Sequence, residues 1–314
     1  MNLRTLVAAA MVVSAVAADA QLTGQIAYTS HARGDSPWVI HIMNPDGSGR
    51  RALTDGVSPS WSPDGERIVY RGRGGIWVMD RDGSANQLLF EVRGAYEPVF
   101  SHDGRKVFFN WSQDDGTFIY SIDATTGGEP VRLPLFPPDP ADVAMHWDVT
   151  PSPDGQSIAF SFSRPSGFGT SNPSGLYVAN IDGSDIRLVS DIGRPSYPAW
   201  SPDGNRLAFH ANRDDGEGIY VASADGTDQT LLSAEWALDW SPTWSPDGGW
   251  IAFMSTQNHR SQDVYIMRPD GSGITNLTNS DGSTDYEPAW SPVPLPALPT
   301  AVVEQSWGQI KSGN

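Results

Sequence analysis

The sequence predicts an all-β protein, a six-bladed β-propeller whose four-stranded antiparallel blades form a ring. A five-residue phrase repeats along the chain, apolar runs follow each copy, and the two chain ends carry complementary parts of one repeat. The phrase is Trp-Ser-Pro-Asp-Gly with variations, and its lead residues are Trp61, Phe100, Pro151, Trp200, Trp244 and Trp290. The intervals between them are 39, 51, 49, 44 and 46 residues, a period typical of propeller blades or another repeat array.

Each full repeat predicts four strands. The phrase is followed by two apolar runs bounded by turn residues, as in Ile158–Phe160 and Leu176–Val178. An Asp-Gly turn, such as Asp182-Gly183, then leads into a weaker run, because glycine accepts the positive φ of a hairpin turn. The loop after this third run leads to the strand that ends in the next lead residue.

The repeated phrase itself has a structural role. Proline sets φ for a turn, aspartate bonds nearby backbone amides, and glycine takes the left-handed position. The lead tryptophan offers a large apolar surface to the neighbouring blade. Function is therefore to be sought in residues that the repeats do not share.

The two ends of the chain are expected to close the ring. Residues 25–54 contain the second, third and fourth strands of a blade without its first, and residues 286–291 form a first strand without followers. One composite blade built from both ends would satisfy strand edges that would otherwise remain unpaired.

These motifs resemble the repeats of TolB-like six-bladed propellers, and the resemblance covers about residues 25–292. It implies a propeller fold and a binding role, but not the specific partners of TolB. Relative to TolB we expect no N-terminal α/β domain. Relative to prolyl oligopeptidase-like enzymes we expect no hydrolase domain after the propeller.

The N-terminal segment and the composition indicate where the protein resides and which partners it excludes. Residues 1–20 read as a secretory signal cleaved between Ala20 and Gln21, which predicts a periplasmic or secreted protein. The propeller is expected over residues 21–292, with a Pro-rich linker and short tail over 293–314. There is no cysteine, no further candidate membrane span, and a net charge of −17, which argues against binding nucleic acid.

The inter-blade loops are expected to end at the mouth of the central channel. Three residues before each lead residue stand Ser58, Glu97, Asp148, Tyr197, Ser241 and Glu287. The preceding positions are Val57, Tyr96, Trp147, Ser196, Trp240 and Tyr286, and before those Gly56, Ala95, His146, Pro195, Asp239 and Asp285. This predicts a mouth ringed by acids and aromatics, suited to a cationic peptide, a sugar or a metal ion. Alternatively, the acids cap loop amides or pair with arginines of adjacent loops.

From these positions we predict a binding mouth. Its residues are Glu97, Asp148, Tyr197, Asp239, Trp240, Asp285, Tyr286, Glu287, Tyr96, Trp147 and His146. Two insertions, residues 133–147 and 162–175, suggest an additional contact lobe that carries Phe136, Phe162, Arg164 and Phe168. The alternative is that these aromatic rings only hold the insertions against the propeller.

Catalytic signatures are weak. The histidines lack a paired-ligand spacing such as His-x-x-x-His, and there is no Gly-x-Ser-x-Gly motif. We expect no cofactor and no metal, and a non-enzymatic propeller that binds a protein or peptide, cationic in character, through its long-loop face. The alternative is a carbohydrate-active propeller, either glycan-binding or a metal-dependent polysaccharide lyase.

Overall fold

A computed structural model describes residues 22–32, 34, 37–136, 144–163, 174–213, 216–233, 237–258, 261–280 and 282–299. Over these residues the regular structure is entirely β, and no helix has the length and apolarity needed to cross a membrane. The predicted cleavage site and the tail from residue 300 onward lie outside the described residues.

The described residues form twenty-four strands. The first twelve are β1 (Ile26–Ala32), β2 (Val39–Met43), β3 (Arg51–Asp55), β4 (Val57–Trp61), β5 (Arg67–Gly72), β6 (Gly75–Asp80), β7 (Gln87–Glu91), β8 (Ala95–Phe100), β9 (Lys106–Gln113), β10 (Gly116–Asp123), β11 (Gly127–Arg132) and β12 (Ala144–Pro151). The second twelve are β13 (Ser157–Ser163), β14 (Gly175–Asn180), β15 (Arg187–Ser190), β16 (Ser196–Trp200), β17 (Arg206–Arg213), β18 (Gly216–Ser223), β19 (Thr230–Leu231), β20 (Asp239–Trp244), β21 (Ile251–Ser255), β22 (Asp263–Met267), β23 (Thr275–Asn276) and β24 (Ser283–Trp290).

Strand pairing builds a propeller from four-stranded antiparallel units. Four units are separate sheets, with the orders β4-β5-β6-β7, β16-β17-β18-β19, β20-β21-β22-β23 and β24-β1-β2-β3. The last of these confirms the composite closure, because the C-terminal strand pairs antiparallel with the N-terminal one from Ile26–Trp290 to Ala32–Ser283.

The prediction of six separate blades needs correction. Strands β8 to β11 and β12 to β15 belong to one eight-stranded sheet, so the chain forms four separate four-stranded sheets and one double-sized sheet. The join is a parallel pairing of β10 with β12, at Gly116–Ala144 and Thr117–Met145. It forms because β11 pairs with β10 only from Tyr120 onward, which leaves the start of β10 open to the neighbouring strand.

The core lies between adjacent units. The second strand of each repeat carries a buried aromatic ring at an equivalent position, namely Tyr28, Tyr70, Phe109, Phe160, Phe209 and Phe253. Clusters of aliphatic and aromatic side chains join each unit to its neighbour. Since neither face of these central strands meets water, they read as continuous apolar runs rather than alternating ones.

The repeated phrase occupies the face of the ring opposite the mouth, here called the turn face. In the first copy the Ser62 hydroxyl donates to Asp64 at 2.5 Å and accepts from the Arg67 amide at 2.9 Å. The indole of Trp61 donates to the carbonyl of Ala289 in the adjacent unit at 3.0 Å. The sequence interpretation of the phrase as turn and packing chemistry is therefore confirmed.

The Pro-rich segment after the last strand lies along the turn face. The Gln25 amide donates to the carbonyl of Pro296 at 2.7 Å. Asn44 holds both backbone groups of Leu298, donating at 3.0 Å and accepting at 2.6 Å. Leu295 and Leu298 pack on the cluster beside Trp61, so residues 293–299 contribute to closing the ring.

Candidate functional site

The first strand of each repeat shares a backbone irregularity at the channel mouth. These strands, called the inner strands, are β4, β8, β12, β16, β20 and β24. Six residues, one from each inner strand, adopt the left-handed conformation with φ between 50° and 57°: Ser58, Glu97, Asp148, Tyr197, Ser241 and Glu287. Register shifts in the ladders mark a β-bulge there. Holding a residue other than glycine in this conformation costs about 1–3 kcal/mol. Such strained residues cluster at functional sites. We refer to these six residues as the bulge ring.

The bulge ring surrounds a cavity on the channel axis. All six residues line it, together with the residues that follow each of them, and its volume is about 190 Å³. Small-molecule sites usually enclose about 300–1,000 Å³. The cavity is therefore sized for a single inserted side chain rather than for a whole ligand.

Three carboxyl groups of the bulge ring connect neighbouring units. Glu287 accepts from the backbone amide of Ser58 at 2.9 Å. Glu97 accepts from the amide of Asp148 at 3.2 Å, and Asp148 accepts from that of Tyr197 at 3.0 Å. Each carboxyl thus binds the next residue of the ring, so the alternative role of capping loop amides is met by these acids. Each is half-buried.

Burial dominates the electrostatics of the bulge ring. It raises the pKa of Glu97 well above its ordinary range, and the Asp148 and Glu287 carboxyls raise it further. Burial also raises the pKa values of Asp148, Glu287 and the Tyr197 hydroxyl. Within this neighbouring pair, the Asp148 side chain raises the pKa of Glu97, whereas the Glu97 side chain lowers that of Asp148. Glu97 is therefore the carboxyl that its surroundings hold closer to the protonated form.

An aromatic tier stands on the outer side of the bulge ring. Its members are Tyr96, Trp147, Trp240 and Tyr286, all half-buried. The rings of Tyr96 and Trp147 lie 6.4 Å apart, and the Arg71 guanidinium lies 5.1 Å from the Tyr96 ring. Each of the four directly precedes a bulge-ring residue in its strand, and their role in binding stays a prediction.

Sequence reasoning missed two residues that contact the tier, Trp38 and Arg71. Trp38 packs edge-on against Tyr286 with ring centroids 4.9 Å apart, stacks beside His31 at 4.1 Å, and is 39% exposed. Arg71 was missed because the alignment considered only inner strands, whereas Arg71 lies in β5. A tryptophan with no counterpart in the other repeats was the signal that could have identified Trp38.

The outermost aligned positions do not face the lumen. His146, Asp239 and Asp285 are at most 2% exposed, so they lie inside the protein, which corrects their predicted place at the mouth. The bulge turns the ring residue toward the axis, while the residue two positions earlier stays between strands. Burial raises the pKa of Asp239 although the side chains of Ser233, Ser255 and Gln257 lower it.

The described parts of the two insertions contribute to the core. Phe162 is 2% exposed, and Phe136 packs on it with ring centroids 4.7 Å apart. His146 lies 5.2 Å from Phe162, and burial lowers its pKa to about 4. Both phenylalanines therefore hold the insertion against the propeller. The predicted lobe residues Arg164 and Phe168 lie outside the described residues.

A polar cluster lies beside the tier. His210 is within hydrogen-bond distance of Ser196 and Glu217, at 3.0 and 3.1 Å, and the indole of Trp240 reaches both His210 and Glu217. Across the described ranges no group of three or more histidine and acidic side chains is arranged to hold a metal ion.

Comparisons with known proteins agree with this geometry. A family model described as the TolB β-propeller domain matches residues 145–295. TolB of the Tol-Pal system in Francisella tularensis is 27% identical over 199 residues, 62% of this chain and 42% of TolB. The crystal structure of TolB from Acinetobacter baumannii superposes with a TM-score of 0.70 at 21% identity, covering 86% of this chain and 67% of that one. These matches support a TolB-like propeller family for the chain.

Other relatives match different shares of their own length. An uncharacterized protein of Agrobacterium fabrum is 26% identical over 249 residues, 75% of this chain and 80% of the relative. Dipeptidyl-peptidase 5 of Porphyromonas gingivalis is 26% identical over 233 residues, 56% of this chain but only 33% of the peptidase. This TolB-like chain thus spans less than half of two curated relatives, and their activities do not transfer with the propeller.

Proposed function

We propose that this chain is a non-catalytic binding module that holds a segment of another protein at the channel mouth, outside the cytoplasm. The observation that carries the proposal is the bulge ring, in which six strained residues surround one narrow cavity beneath an aromatic tier. A rigid ring loses little ordering entropy on binding, so strain held there is consistent with a preorganised site.

The cavity limits the form of the partner. A volume of about 190 Å³ admits one side chain, while the main chain of the bound segment would cross the tier above it. Carboxyl oxygens of Asp148 and Glu287 favour a lysine or arginine side chain or a neutral hydrogen-bond donor. Because its surroundings raise the pKa of Glu97 and favour its neutral form, we expect affinity for a basic segment to rise with pH.

Site-specific crosslinking in the native host would test the proposal. A photoreactive benzoylphenylalanine at Tyr286 keeps an aromatic ring in the tier, and the same residue at Ile274, an exposed position outside the mouth, is the matched control. We expect adducts with one defined protein from position 286 and none from 274. Equal adduct patterns from both positions would contradict a binding role for the mouth.

The captured partner then allows a charge test. Replacing Glu287 by Gln keeps a hydrogen-bond acceptor for Ser58 but removes a charge from the lumen. We expect an affinity loss of about tenfold for a basic segment, typical of a charge-assisted hydrogen bond. The loss should shrink at high salt, whereas a loss that does not depend on salt would exclude the cationic partner.

Glycan binding is a second candidate, favoured by the exposure of Trp38 beside Tyr286. Exposed indole faces stack on sugar rings, and Trp38 offers such a face beside the tier. A polysaccharide screen with absorbance detection of unsaturated products distinguishes the candidates. Binding lost in Trp38→Ala would favour a glycan-binding protein, and chelator-sensitive product formation would favour a lyase.

A further inference from the structure

Four side chains form a hydrogen-bonded cluster that includes one member of the aromatic tier, Trp240. The Ser196 hydroxyl lies 3.0 Å from Nδ1 of His210, whose Nε2 lies 3.1 Å from Oε1 of Glu217. The indole Nε1 of Trp240 lies 2.8 Å from the same imidazole nitrogen and 3.1 Å from the same carboxylate oxygen. His210, Glu217 and Trp240 therefore converge on one small space.

Only one hydrogen atom fits that space. The indole nitrogen always carries a hydrogen and can only donate. Its 2.8 Å approach to Nε2 of His210 therefore requires that nitrogen to be unprotonated. The imidazole is then neutral with its hydrogen on Nδ1, which donates to the Ser196 hydroxyl. The single indole hydrogen bridges the two acceptors, His210 and Glu217.

The surroundings of His210 favour this neutral form at neutral pH. Burial lowers its pKa, and the hydrogen bond and charge of Glu217 oppose that shift without cancelling it. Among the described residues, Asp239, on the strand that carries Trp240, also interacts electrostatically with Glu217. Asn212 donates weakly to the second Glu217 oxygen at 3.4 Å.

Acid changes which hydrogen occupies the space. A proton added to His210 goes to Nε2, the only free ring nitrogen, and points at the Glu217 carboxylate to form a direct ion pair. The indole hydrogen of Trp240 then points at the new hydrogen on Nε2 of His210, which was the closer of its two acceptors. We propose that protonation of His210 displaces Trp240 from this bridge and thereby weakens partner binding at the channel mouth.

The regulatory part of this inference rests on the proposed function, because it requires the partner to contact the tier. The same geometry argues against a nucleophilic Ser196. A general base must accept the serine hydrogen, but Nδ1 of the neutral imidazole already carries one. The resemblance of Ser196, His210 and Glu217 to a catalytic triad therefore does not predict hydrolysis.

Nuclear magnetic resonance of the whole chain tests the displacement without any partner. The indole Nε1–H resonance of Trp240 is assigned by its absence in Trp240→Phe and followed from pH 8 to pH 4 beside the ring resonances of His210. We expect both to shift with one midpoint below 6.5, the ordinary value for histidine. An indole resonance that stays fixed while His210 titrates would overturn the proposal.

Two variants separate the cause from general acid effects. In His210→Gln the side chain cannot take up the proton, so the Trp240 resonance should lose its titration. In Glu217→Gln the protonated His210 loses the carboxylate that stabilises it. The titration midpoint of His210 should therefore lie below its midpoint in the native protein. A Trp240 titration unchanged in both variants would also overturn the proposal.

Affinity measurements with the free partner protein, once crosslinking has identified it, test the regulatory step. Between pH 7.5 and 5.5 the native chain should lose about threefold to tenfold in affinity beyond any loss in His210→Gln, the equivalent of one hydrogen bond. Equal losses in both proteins would overturn the regulatory step. If no partner crosslinks at the mouth, the proposed function fails while the resonance experiment still decides whether Trp240 is displaced.

Discussion

Carboxyl groups at the two faces of the propeller lie in opposite electrostatic environments. On the turn face, Asp64 and Asp154 each accept a serine hydroxyl at 2.5 Å and a backbone amide, and these hydrogen bonds lower their pKa values. At the mouth, burial raises the pKa values of Glu97, Asp148 and Glu287. Carboxyl groups therefore stabilise turns in their ionised form at one face, whereas burial favours their neutral form at the other.

The difference shows which part of a repeat is free to acquire function. The turn face repeats both its backbone and its side chains, because the turn needs serine, aspartate and glycine together. The bulge ring repeats only its backbone, since six left-handed residues share φ but include serine, acid and tyrosine. A conformation held by the fold with variable side chains is a scaffold on which a binding site can be varied.

Steric contact at the turn face gives the largest expected effect. A Cβ at Gly127, where φ is +71°, would collide with the carbonyl oxygen of Leu89 in the neighbouring unit. Gly128 has φ of +74° but nothing within 4 Å of the added carbon, so it is the matched control. By chemical denaturation we expect Gly127→Ala to cost about 3 kcal/mol, and Gly128→Ala about 1 kcal/mol from backbone strain alone. Equal losses would show that contact between units does not limit this turn.

His146 tests whether a residue aligned with the mouth belongs to the core. Its Nδ1 lies 3.3 Å from the Thr117 carbonyl, and burial lowers its pKa to about 4. A base with a lowered pKa stabilises the fold above its ordinary pKa of 6.5, and that stability is lost as the pH falls toward 4, because only the unfolded chain takes up the proton. The loss amounts to about 3 kcal/mol in the acidic limit.

The comparison variant is His146→Phe, which removes the titrating group among aromatic neighbours. Free energies of unfolding at pH 7 and pH 4 should differ by less in this variant than in the native chain. The absolute stability of the variant does not matter, since only the change with pH is compared. An identical change in both proteins would place His146 in contact with water.

The repeats made much of the fold predictable from sequence. The spacing of lead residues predicts the strands, and the incomplete repeats at residues 25–54 and 286–291 predict the closure of β24 on β1. The join of β10 to β12 was not predictable, because it depends on how far β11 extends along its partner. That length is a tertiary outcome with no local sequence signal.

The candidate site was predictable by position but not by orientation. Alignment placed Glu97, Asp148 and Glu287 together, but it also placed Asp239 and Asp285 at the mouth, where the structure buries them. A strand pattern has period two, and the bulge breaks that period at the ring. Since serine, acid and tyrosine all occupy the bulge position, no residue type signals the break.

The sharpest test of the two environments compares Asp64→Asn with Glu97→Gln. The lowered pKa of Asp64 means that its carboxylate stabilises the fold above its ordinary pKa of 3.8, and this stability is lost as the pH falls through the folded value. The raised pKa of Glu97 gives the opposite dependence of stability on pH. Its contribution is fully present below its ordinary pKa of 4.5 and is lost as the pH rises through the folded value.

The two variants should therefore diverge in unfolding experiments between pH 3 and pH 9. Asp64→Asn should cost about 1 kcal/mol or less at pH 7, because solvent screens this exposed group, and the cost should vanish in acid. Glu97→Gln should be nearly neutral in acid and stabilising by roughly 1 kcal/mol in base, since an amide donates to Asp148 without needing a proton. Parallel pH profiles would mean that the two faces do not differ electrostatically, and the pairing of Glu97 with Asp148 would have to be abandoned.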